Sequence, residues 1–111
     1  MSFKVSSVKE YFDTLGDRFV AEKAKGMDTI YQFELSGDEG GTYHVHVKEG
    51  AMTVVEGAHD KPTSTLKMSG EDYVKMTNGE INGQMAYMKG KMKISGSIPM
   101  AMKMKNIFPQ A

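Results

Sequence analysis

His44 and His46, two residues apart, are the first side chains in this sequence whose types and spacing could do chemistry. On a strand, alternate residues point to the same face, so the pair offers half of a zinc-type ligand set. The third histidine, His59, lies in a loop some way off, and Tyr43, Val45 and Val47 claim the buried side of that strand. The pair is therefore expected to face water, and no metal is implied. Glu71-Asp72 offers two carboxylates, but consecutive helical residues diverge by about 100°, which suits a helix start better than acid–base catalysis. Gly37, Gly40 and Gly41 suit a hairpin turn, with no helix directly behind them to hold a phosphate. There is no Gly-x-Ser-x-Gly elbow, no Walker-type lysine loop and no cysteine. Neither a catalytic residue nor a cofactor is expected.

The stretch from Gln84 to Phe108 is different. It holds Met85, Met88, Met92, Met100, Met102 and Met104, six of the chain's 11 methionines, and no acidic residue occurs from Ile81 onward. Lys89, Lys91, Lys93, Lys103 and Lys105 are interleaved with them. Methionine is unbranched and polarizable, and it re-packs as the space around it changes. A rigid empty pocket of ~300 Å³, at ~24 cal/mol per Å³, would forfeit about 7 kcal/mol of a total stability of ~5–15. Methionines lining such a space can fold inward when it is vacant and withdraw when an acyl chain enters. Each buried methylene of that chain contributes about 0.8 kcal/mol. The lysines offer contacts to an anionic headgroup or membrane surface.

The elements that must position this stretch follow from hydrophobic spacing. Ser7 and Glu10 form a capping box ahead of Val8, Phe12, Leu15 and Phe19, which predicts a helix over 5–25 with a bend at Gly16 and a stop at Gly26. Thr29 to Ser36 alternates, with Tyr31, Phe33 and Leu35 on one side; Thr42 to Lys48 alternates again. Gly37 to Gly41 turns between them, and Glu49-Gly50 suits a tight hairpin to a third strand at 51–56. A short strand at 64–68 leads to Ser69, which caps a second helix that Asn78-Gly79 ends. A third helix at 82–88, a last strand at 91–95 with Met92 and Ile94 inward, and a closing helix after Pro99 complete the chain. Met100, Met104 and Ile107 form the closing helix's stripe. The expected fold class is α+β: a five-stranded, mainly antiparallel sheet with helices packed on one face, as a single domain over 1–111.

Composition narrows the function classes. Hydrophobic residues make up 40% and charged residues 25%, which are globular values. Residues 1–80 carry nine basic and fourteen acidic side chains, whereas 81–111 carry five lysines alone, so the formal net charge is zero. Overall neutrality, and a basic segment interleaved with methionine and not with stacking aromatics, argue against nucleic acid. The first residues show no basic-then-apolar pattern, no apolar run nears the ~18 residues of a membrane span, and Pro109-Gln110-Ala111 is not a peroxisomal tripeptide. The expected location is cytoplasmic.

Several of these residues together resemble the sterol carrier protein type-two domain family. They are Glu56-Gly57, Thr65-Leu66 ahead of Glu71-Asp72, Asn78-Gly79, the run Gln84-Met85-Ala86-Tyr87-Met88-Lys89-Gly90-Lys91-Met92-Lys93-Ile94-Ser95-Gly96, and Ala101-Met102-Lys103-Met104. The resemblance implies a hydrophobic tunnel between sheet and helices and non-covalent binding of fatty acids, acyl-CoAs, sterols or similar lipids. It also implies that Met102 faces the ligand, with Met85, Met88, Met100 and Met104 as neighbours. Phe19 and Phe33 are further candidates for the wall, and Lys91, Lys93 and Lys103 for headgroup or membrane contact. The leading expectation is thus a non-enzymatic lipid carrier, monomer or homodimer. Its rival is a dimerisation or accessory module whose groove takes a partner helix; a small enzyme built on His44 and His46 ranks third.

Overall fold

Ser7 opens the first helix by the reciprocal cap its spacing predicts. In the computed structural model, which describes residues 4–38 and 40–109, its hydroxyl accepts the Glu10 amide at 3.0 Å and the Glu10 carboxylate accepts the Ser6 amide at 2.9 Å. Glu39, inside the turn expected at 37–41, and Gln110 and Ala111 of the final tripeptide lie outside the described residues.

The single helix expected over 5–25 is instead three short pieces: α1 (Val8–Asp13), α2 (Leu15–Arg18) and a 3₁₀ turn (Ala21–Ala24). Thr14 causes the first break, its hydroxyl donating to the Glu10 carbonyl at 2.7 Å in competition with the helical ladder. Phe19 then turns extended, with ψ at 126°. The stripe survives the break: Val8, Phe12 and Leu15 are all buried.

Five strands form: β1 (Asp28–Ser36) and β2 (Gly41–Lys48) where alternation predicts them, β3 (Ala51–Glu56), β4 (Ser64–Ser69), and β5 (Lys93–Gly96), which starts two residues later than the strand expected at 91–95 and leaves Met92 just ahead of it. Glu49 (φ 50°) and Gly50 (φ 78°) both adopt the left-handed conformation that a two-residue type I′ hairpin demands. Strand order is β3-β2-β1-β4-β5, with every neighbouring pair antiparallel except β1 and β4, which run parallel at the centre. Register puts Tyr31, Phe33 and Leu35 beside Val45, Tyr43, Leu66 and Met68 on the face the helices cover. Gln32, Glu34, His44, His46, Lys67 and Lys93 fall on the opposite face.

The helix-side core is aromatic. The Phe12 ring stacks on Tyr43 at 4.1 Å and meets Phe33 edge-on at 5.1 Å, and Tyr73 closes on Phe33 from α3 (Gly70–Thr77) at 5.7 Å. Ser69 caps α3 by accepting the Asp72 amide at 3.0 Å. Past α3, Asn78 binds Val5 twice: its Oδ1 accepts the Val5 amide and its Nδ2 donates to the Val5 carbonyl, both at 2.8 Å. Three further helices, α4 (Gly83–Met88), α5 (Ile98–Met102) and α6 (Met104–Ile107), bracket β5 in sequence. No helix of the described residues is long and apolar enough to cross a membrane.

Candidate functional site

The methionine- and lysine-rich stretch folds into α4, β5, α5 and α6; α5 packs on β4 and β5, and α6 packs on the 3₁₀ turn. Asn82 caps α4 by accepting the Met85 amide at 3.1 Å, yet Ala86 is the only residue of that helix to be buried. Its carbonyl accepts the Lys91 amide at 2.9 Å, turning the chain at Gly90 toward β5. Ser97 caps α5, where again a single alanine, Ala101, is buried. The closing helix expected as one piece breaks at Lys103, and α6 buries only Ile107. Each of α4 and α5 thus fully buries one small side chain, and α5 also packs Met100 against the core.

The predicted wall residues divide into three groups. Phe33 is wholly shielded, inside the aromatic cluster of Phe12 and Tyr73. Phe19, Met100 and Met104 are half-buried against the core, with Phe19 lying 5.6 Å from the Phe108 ring. Met85, Met88 and Met102 are exposed, Met88 at 72% and Met102 at 58%. Met102 points outward for a simple reason: at ~100° per residue it lies well away from the inward stripe of Met100, Met104 and Ile107. Met92, read from spacing only as an inward strand residue, is buried just ahead of β5 and contributes to the core. On the helix-covered face at the centre of the sheet, Tyr31, Phe33, Val45 and Val47 have no exposure.

A polar contact ties the closing segment to that core. The Tyr31 hydroxyl, from the middle of β1, donates to the Met100 carbonyl in α5 at 2.6 Å. Alternation alone marked Tyr31 as an inward residue but could not show its partner. Burial pushes the Tyr31 phenol up to about 12, and burial likewise raises Tyr11 and, further, Tyr73. A phenol whose folded pKa exceeds its unfolded value stabilises fully below the unfolded value near 10. That contribution is lost as pH rises through the folded value. Stability in urea should therefore be level up to about pH 10 and fall above it, and Tyr31→Phe should lessen the fall. A flat profile to about pH 11.5 would contradict the burial of these phenols.

The lysines divide as well. Lys91 and Lys93 line an open cleft of about 530 Å³ together with Lys67, whereas Lys103 is not among its lining residues. The histidines lie on the opposite face from the helices, half-buried: His46 Nε2 is 2.7 Å from Asp28 Oδ1, and His44 Nδ1 is 2.9 Å from the Gly57 carbonyl. Among the described residues, no three His, Cys, Asp or Glu side chains gather as a metal site would require.

Comparison with known proteins gives a consistent picture. The family model described as the SCP-2 sterol transfer family matches residues 10–109. Over 105 residues, 94% of this chain, 35% of positions are identical to hydroxysteroid dehydrogenase-like protein 2 of Mus musculus, where the match covers 21% of that protein. The chain thus spans a fifth to a quarter of the length of the curated relatives it matches. The solution structure of the sterol carrier protein domain 2 of Helicoverpa armigera is similar at a TM-score of 0.73 and 28% identity, over 92% of this chain and 91% of that one. Palmitated SCP2L2 from Aedes aegypti shares the fold at a TM-score of 0.73 and 18% identity, over 95% of this chain and 96% of that one.

Proposed function

The chain belongs to the SCP-2 sterol transfer family, and from that premise we propose that it binds a lipid without turning it over, holding a long apolar tail between sheet and helices. One observation carries this reading. α5 covers β4 and β5, and it and α4 each fully bury only one alanine, while Met92, Met100 and Met104 from the same stretch pack in or against the core. Methionine side chains can change rotamer at little cost, so such a cover can rise around a tail and settle when it leaves. The palmitate carried by the Aedes aegypti relative supports a single acyl chain as the ligand class. Burying a dozen methylenes would contribute a gross ~10 kcal/mol before the costs of ordering both partners.

A second reading has its own observation. Met85, Tyr87, Met88, Ile98 and Met102 are all more than 40% exposed on α4 and α5, and such a surface also suits a partner helix. Native mass spectrometry of the purified protein separates the two. The carrier reading expects a co-purifying fatty acid or acyl-CoA mass and saturable displacement of a fluorescent fatty acid. A ligand-free dimer with no fatty-acid binding would instead favour the interaction module and end the carrier proposal.

A further inference from the structure

The sheet has two edges, and only one of them is guarded. β5 is four residues long, carries Lys93 and ends at Gly96, where φ reaches 80°. Shortness and lysine are among the devices that keep an edge strand from pairing with another chain. β3, at the other edge, is six residues long, and from Ala51 to Val55 it holds neither charge nor proline. Thr53, Val54 and Val55 favour extended backbone, and Val55 is 42% exposed.

Register shows which backbone groups this edge offers. The Glu49 amide donates to the Met27 carbonyl at 3.0 Å and the Gly57 amide to the Thr42 carbonyl at 2.8 Å. These bonds extend the β1–β2 and β2–β3 ladders by one pair each. Antiparallel ladders alternate bonded and non-bonded pairs, so β3 bonds β2 through Ala51, Thr53 and Val55. The amides and carbonyls of Met52, Val54 and Glu56 therefore point away from the sheet. Among the described residues, none of these six groups has a backbone partner.

We propose that β3 pairs antiparallel with β3 of a second copy of this chain, about a two-fold axis through Val54, giving one continuous sheet across both copies. The outward groups are spaced evenly about Val54, so this register sets every free N–H against a C=O. Val54 bonds its counterpart, and Met52 bonds the partner's Glu56. Glu56 thus meets methionine and not another Glu56, and no like charges oppose. On the open face Thr53 lies opposite the partner's Val55 and covers that exposed side chain. This self-matching singles out a second copy among the strands that could lie here. A contact of six residues a side is small beside the ~1,200–2,000 Å² of stable complexes, so the dimer should be reversible. β3 lies across the sheet from β5 and α5, and the pairing does not depend on the carrier reading.

Sedimentation equilibrium over a range of concentrations, at low salt, tests the pairing. The unaltered chain should show a monomer–dimer equilibrium. Thr53→Lys with Val55→Lys sets lysine against lysine across the axis and should weaken association about tenfold. Thr53→Lys with Val55→Glu sets lysine against glutamate in the same places and should restore it. Both positions are exposed, so circular dichroism of the three chains should agree. Ser95→Lys, exposed on the guarded edge, should change nothing. The chain has no cysteine, so a disulfide can report the register. An oxidised mixture of Thr53→Cys and Val55→Cys chains should cross-link. Each variant alone should cross-link far less, because like positions are diagonal neighbours ~7–8 Å apart. A chain still monomeric at millimolar concentration, or a dimer that the paired lysines leave intact, would overturn the proposal; the second result would place the contact elsewhere, as on the exposed methionines of α4 and α5. Failure of glutamate to restore association, or equal cross-linking by one variant alone, would overturn it as well.

Discussion

Replacing Gly96 with alanine should lower stability by about 2–4 kcal/mol, far more than the one added methyl group suggests. Gly96 closes β5 opposite Ser64 with φ at 80°, a conformation that side chains with a Cβ rarely adopt. A Cβ built there would meet the Thr63 carbonyl oxygen at 2.5 Å, and backbone cannot swing aside as a flexible side chain can. That same carbonyl accepts the Ser97 amide at 2.9 Å, and Ser97 is the residue that caps α5. The damage should therefore spread to the closing segment, seen as faster hydrogen exchange at the Ala101 amide, which bonds the Ser97 carbonyl at 3.1 Å. Gly90→Ala supplies the control. Gly90 has nearly the same φ, 78°, but nothing within 4 Å of an added Cβ, so about 1 kcal/mol of backbone strain is expected. Equal losses in the two variants, measured by urea denaturation, would refute the close approach at Thr63.

Phe33→Ala is expected to cost about 3–5 kcal/mol and, in a domain of this size, to lower the melting temperature by roughly 20 °C. The ring has no solvent exposure and lies between Phe12 and Tyr73. Truncation leaves a cavity that two helices and a strand would have to close together. Phe19→Ala, removing a half-buried ring at the Phe108 contact, should cost distinctly less. The pair also tests what Phe33 is for. A structural role predicts collapse or near-collapse by calorimetry, whereas a ligand wall predicts a stable protein with altered fatty-acid affinity.

Local chemistry made much of this fold legible. Serine at 7 and 69, the alternation through Tyr31, Phe33 and Leu35, and Glu49-Gly50 at a hairpin each act within a few residues, and each has the expected partner. What was not legible depends on contacts distant in sequence. Nothing near β1 or β4 marks them as parallel neighbours, since both alternate in the same way whichever direction they run. The breaks at Thr14 and Lys103 were hidden because an apolar stripe continues across each of them, through Leu15 and through Met104. Methionine spacing marked Met100 and Met104 as inward, and both are half-buried against the core, while Met102 between them is exposed. The row of Glu34, Lys67 and Lys93 joins three strands and cannot be assembled from any one of them.

Since β1 and β4 run side by side in the same direction, their pairing must wait for the chain to travel out to the far edge and return. β1, β2 and β3 can zip together through short turns on the microsecond scale typical of hairpins, whereas β4 must close a much longer loop first. Assembly should accordingly proceed from the meander outward, with α4, β5 and α5 arriving last on an already formed platform. The segment that docks last during folding is then the segment best suited to undock first, and a carrier has use for a region that comes loose without unravelling its base.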